Sequence, residues 1–120
     1  MDDTFGYPPA TWQAAKEQAR EAMISTAQQQ LLITYTELAA RINAIAFQPH
    51  DFKLFHLLGQ ISTSEDGAAR GMLTAVVVTA EGRTPGHGFF KLAKELGHAF
   101  SDETDFWATQ LKRVYKAWSR

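Results

Sequence analysis

The chain has 120 residues, 45% hydrophobic and 21% charged, with a formal net charge of −1, which fits one domain over residues 1–120 and excludes collagen, fibre and wholesale disorder. It contains no cysteine, so disulfides, thiolate metal sites and cysteine nucleophiles are excluded. No apolar run approaches the roughly 18 residues of a membrane span, and Met1-Asp2-Asp3 is acidic where a signal peptide is basic, so a cytoplasmic protein without a membrane partner is expected.

Residues 1–8 read as a loose leader ending in Gly6-Tyr7-Pro8-Pro9. Proline suits the first turn of a helix, so a helix is predicted over about 9–30, with Trp12, Ala15, Ala19, Ala22 and Met23 on its buried stripe. Leu31 to Tyr35 suits either a strand or an extended lead into the next helix, predicted over 35–46. Thr34 and Glu37 match the capping box that opens it, and Leu38, Ile42 and Ile45 form its apolar face. A third helix, 50–62, is apolar all round (Phe52, Leu54, Phe55, Leu57, Leu58, Ile61) and is therefore expected in the middle of the core.

Ser62 to Gly67 reads as a polar exit from that helix, and Met72 to Thr79 as the one strong strand, paired with 31–34. Thr84-Pro85-Gly86-His87-Gly88 is a turn-rich link to a helix over 88–97, which Gly97 stops. The last helix, 102–118, is capped by Ser101 or Asp102. Its acids lie at the start, its bases (Lys112, Arg113, Lys116) at the end, and Trp107, Leu111, Val114 and Trp118 form its stripe. The predicted class is α+β, mostly helical, with a short β-sheet.

Few motifs carry chemistry. A strand, three glycines and a helix start around Gly86, His87 and Gly88 are the ingredients of an anion-binding nest, although glycines also serve a cramped turn without any ligand. Arg83, His87 and Lys91 lie beside it in sequence. No Walker pattern and no G-x-S-x-G elbow occurs. His50 and His56 are six apart and His87 and His98 eleven apart, so neither pair has the i, i+4 spacing of helical metal ligands, and no metal or cofactor is expected. Charge is uneven: up to Ala68 eight acids face four bases, and from Ala69 eight bases face five acids. Arg70, Arg83, Lys91 and Lys94 are therefore candidate phosphate contacts, with the alternative of an ordinary solvated surface.

The order of these segments resembles a known family. Trp12 and its alanine-rich helix, Ile33-Thr34-Tyr35-Thr36-Glu37-Leu38-Ala39, Leu57-Leu58-Gly59 and Val76-Val77-Val78 with Glu81-Gly82 resemble the DNA-binding domain of alkyltransferase-like proteins and O6-alkylguanine-DNA alkyltransferases. Gly71 to Phe90 also resembles a small bacterial protein group of unknown function that carries a PGxGFF motif. The first resemblance implies a winged-helix-like domain over 9–120 that binds DNA. It excludes alkyl transfer, because Pro85-Gly86-His87-Gly88 stands where that family carries its reactive Pro-Cys-His-Arg. Its non-catalytic relatives place an aromatic residue beside the histidine, where this chain has Gly86.

Two functions follow as expectations. One is a non-catalytic nucleic-acid-binding module whose sites are Arg70, Arg83, Gly86, His87, Gly88, Lys91 and Lys94. The other is a protein-interaction module or homodimer that docks through the Trp12 helix or the Phe106–Trp118 helix. An enzyme using the Gly86–Phe90 nest and His87 is a third reading.

Overall fold

Helix α1, Pro9–Gln28, opens directly on its proline, with the extended Pro8 before it. The structure, a computed structural model, describes residues 4–119. The predicted stripe is the buried one: Trp12, Ala15, Ala19, Ala22 and Met23 face the core, joined by Thr26 and Ala27. Of the expected loose leader, residues 1–3 lie outside the described residues. Residues 4–7 close a turn in which the Tyr7 N–H donates to the Thr4 carbonyl at 3.0 Å. The turn lays the Phe5 ring against Trp12, Phe52 and His56.

Strand β1, Ile33–Thr34, runs into helix α2, Tyr35–Ala40, through the capping box. The Glu37 N–H donates to Thr34 Oγ1 at 3.1 Å and the Thr34 N–H donates to the Glu37 carboxylate at 2.9 Å. Helix α2 ends at Ala40 rather than at 46. The cause lies in α1, where Gln18 Oε1 accepts from the Asn43 and Ala44 N–H groups at 2.8 and 2.9 Å, taking amides that a continuing helix would use. Ile42 and Ile45 stay buried without helical support.

Helix α3, Phe52–Gly67, is capped by Asp51, whose side chain accepts from the Lys53 N–H at 2.9 Å. It runs one turn past the expected exit because the polar residues there have partners: Ser62 bonds Thr74 and Glu65 bonds two arginines. Its ring of apolar residues is also divided, with Leu54, Leu57, Leu58 and Ile61 buried while Phe52 and Phe55 face out.

The expected strand at 72–79 is replaced by a 3-10 turn, Leu73–Val76, and a two-residue strand β2, Val77–Val78. Strand β2 pairs with β1 in parallel, Ile33 opposite Val77 and Thr34 opposite Val78. Every residue from Met72 to Val78 is buried, so the continuous apolar run that reads as a strand marks burial and not extended backbone. Helix α4, His87–Glu95, ends ahead of Gly97 at φ +93°, the predicted stop. Helix α5, Glu103–Ala117, is capped by Asp102, which accepts from the Asp105 N–H at 3.0 Å. Buried residues from every element join in one hydrophobic core. The result is a mostly helical fold with a small parallel sheet, and among the described residues no helix is long and apolar enough to cross a membrane.

Candidate functional site

A groove of about 1150 Å³ opens between α3, the start of α4 and the start of α2. Helix α3 contributes Phe55, His56, Gly59 and Thr63, α4 contributes Gly86, His87 and Gly88 at its start and Glu95 at its end, and α2 contributes Tyr35 and Thr36. His50, Lys16 and the Thr79–Glu81 segment complete the lining.

Local chemistry places these groups. The capping box fixes where α2 begins, and hence Tyr35, its first residue. The Gly86 N–H donates to the Tyr35 hydroxyl at 3.3 Å, and the Tyr35 ring meets Phe55 edge-on at 5.6 Å. A Cβ on Gly86 would stand 3.2 Å from that hydroxyl, so glycine allows the close approach. Burial pushes the Tyr35 hydroxyl above its ordinary pKa, against the opposing pull of the Gly86 N–H. An oxygen that accepts from Gly86 keeps its own proton to donate. The loop before Gly86 is a tight turn: the Thr79 N–H donates to the Thr84 carbonyl at 2.9 Å and the Gly82 N–H to Thr79 Oγ1 at 3.2 Å. Within it Arg83 is held at φ +52°, a conformation non-glycine residues seldom take.

The nest expected between Gly86 and Phe90 is smaller than its glycines suggest. The Gly86 amide is taken by Tyr35, and the Phe89 N–H turns back to the Gly86 carbonyl at 3.1 Å. The first-turn amides of His87 and Gly88, both exposed residues, remain at the groove.

The candidate residues divide. Gly86, His87 and Gly88 line the groove, whereas Arg70, Arg83, Lys91 and Lys94 do not. Arg83 is exposed in the adjoining loop, where its charge acts on Glu37, and Lys91 is exposed on α4. The Lys94 ammonium sits over the Phe100 ring, 5.5 Å from its centre. Arg70 is paired with Glu65 and lies over Trp118.

Several lining residues were not among the expected site residues: Tyr35, Phe55, His50, His56, Glu81 and Glu95. The one available signal was the all-apolar character of 52–61, which leaves two phenylalanines over once the core face is filled. The expected docking helices are also altered. Trp12 is 3% exposed with its Nε1–H bonded to Gln60 Oε1 at 2.9 Å, so it is core and not a docking face. Trp107 and Trp118 are half-buried, the former donating to the Ala75 carbonyl at 2.8 Å. Among the described residues, no three His, Asp or Glu side chains are grouped to hold a metal ion. No family model, curated protein or solved structure matches this chain.

Proposed function

We propose that the protein is a winged-helix-like, non-catalytic nucleic-acid-binding module that receives an unpaired base in the groove between α2, α3 and α4. The observation that carries this reading is the meeting of flat rings and open amides in one place: Tyr35 and Phe55 beside the first turn of α4. Phe55 is 44% exposed, enough for a base to stack on it, and such stacking contributes about 1–3 kcal/mol per base. The amides of His87 and Gly88 suit a phosphate oxygen, and Arg83 and Lys91 stand exposed nearby in sequence. Glu81 and Glu95 suit the exocyclic amino groups of bases.

The order α2, α3, β2 and glycine loop supports the winged-helix likeness. Residues 41–51 separate α2 from α3, longer than the roughly 3–4-residue turn of a helix-turn-helix. Contact is therefore assigned to the groove and not to a recognition helix. Fluorescence anisotropy with short labelled oligonucleotides tests the reading. Single strands are expected to bind more tightly than the matching duplex, with a shallow salt dependence because few cations line the groove. Phe55→Ala is expected to weaken binding by about tenfold or more, and Lys94→Ala to leave it unchanged. Failure to bind either form at low salt overturns the proposal.

The second reading, a protein-interaction module or homodimer, is favoured by Phe52, which is 65% exposed. It requires association in sedimentation that Phe52→Ser abolishes without loss of helicity.

A further inference from the structure

Glu65 is 2% exposed, and a carboxylate so far from water must be matched by charge and hydrogen bonds. Two arginines supply both. Arg20 of α1 donates from Nε to one carboxylate oxygen at 2.9 Å, and Arg70 donates from Nε to the other. Both guanidinium groups also lie over the Trp118 ring, at 5.3 and 5.6 Å from its centre. One carboxylate and one indole thus hold two like charges side by side. The Trp118 Nε1–H is buried without an acceptor among the described residues, so guanidinium-to-ring attraction and packing place this ring.

The arrangement carries a surplus. Two cations share one anion, and because each arginine spends its Nε–H on Glu65, the terminal amino groups remain for another acceptor. The two side chains are 33% and 42% exposed, so those groups reach water. Of the acids near them in sequence, Asp66 faces His98 at 2.9 Å and Glu17 accepts from Gln13 at 3.0 Å. Guanidinium forks held in advance suit an oxyanion, because the rotamer entropy of two long side chains is already spent.

We propose that Arg20 and Arg70, braced by Glu65 and Trp118, form a binding site for a phosphate group. None of these four residues lines the groove, so the site stands independently of the reading given above. Titration with inorganic phosphate against chloride at constant ionic strength, followed by tryptophan fluorescence and calorimetry, tests it. Saturable phosphate binding is expected, weakened by about tenfold in Arg70→Gln and in Arg20→Gln. Because those variants strip a partner from a buried carboxylate, Arg70→Lys is the second test. It keeps a cation for Glu65 but loses the fork, and is expected to stay folded while binding phosphate more weakly. A single-stranded oligonucleotide without terminal phosphate separates the sources: loss of its binding in the same variants assigns the site to a backbone phosphate, and indifference assigns it to free phosphate or a monoester. A phosphate response equal to that of chloride, or unchanged affinity in all three variants, overturns the proposal. Phe55→Ala leaves this site intact, so its failure and that of the groove are distinguishable.

Discussion

At Gly71 the backbone takes φ +86°, and a Cβ added there would stand 3.1 Å from Arg113 Cβ and 3.2 Å from Val114 Cγ2. Gly97 has nearly the same dihedral, φ +93°, with nothing within 4 Å of the added atom. The pair separates two physical effects. Gly97→Ala meets only the left-handed backbone penalty and is expected to lower stability by about 1 kcal/mol. Gly71→Ala meets that penalty together with overpacking against α5, and the expected loss is about 2–4 kcal/mol. Urea unfolding of both variants checks the difference, and equal losses would show that the contact with α5 contributes nothing. Sequence made only one of these glycines readable. Gly97 follows a periodic helical run, whereas the close approach at Gly71 is to Arg113 and Val114, more than forty positions later. The site divides in the same way. His87 between two glycines was legible as a working position, but Tyr35 and Phe55 were not, since nothing local shows that their rings meet.

Among the elements, α2 depends most on a local signal, because six residues form barely two turns. Glu37 is its key acid. Its carboxyl lies below the usual value of 4.5, first because the Thr34 backbone N–H donates to it, then through the Thr34 side chain, with Arg83 and Arg41 adding charge. A folded pKa below the unfolded one gives stability that is present above 4.5 and disappears as pH falls through the lower folded value. Glu37→Gln keeps an acceptor for the Thr34 N–H but removes the charge. The wild type is therefore expected to be the more stable near about pH 7, with the gap closing as the solution is acidified below about pH 4. Chemical unfolding across that range measures it, and a pH-independent gap would mean that charge plays no part. Helix starts of this kind were readable because the capping partners lie three residues apart. The ends of α2 and α3 were not: Gln18, on another helix, stops α2, and Arg20 and Arg70 make it possible for α3 to carry Glu65 inward.

For the molecule as a whole, the decisive segment is Met72–Val78, a 3-10 turn that runs into the short strand β2 and is buried throughout its length. Its apolar run reads equally well as a strand, since hydrophobicity alone cannot tell a buried strand from a buried turn. Buried backbone without a regular ladder needs partners, and here side chains of two helices provide them. The Met72 N–H donates to Gln110 Oε1 at 3.0 Å, the Thr74 N–H donates to Ser62 Oγ at 3.1 Å, and the Ala75 carbonyl accepts from Trp107 Nε1 at 2.8 Å. Two helices, α3 and α5, are therefore tied to the centre by polar bonds as well as by packing. Gln110, 2% exposed, tests the importance of these ties. Gln110→Met keeps length and volume but leaves the Met72 N–H orphaned, and is expected to lower stability by about 1–3 kcal/mol. Hydrogen exchange at Met72 should quicken together with that loss, because the amide then lacks any acceptor. The exposed Gln13→Met serves as the control, with an expected change within about 0.5 kcal/mol. If Gln110→Met is equally mild and the Met72 amide keeps its protection, packing alone holds the centre and the polar ties are incidental.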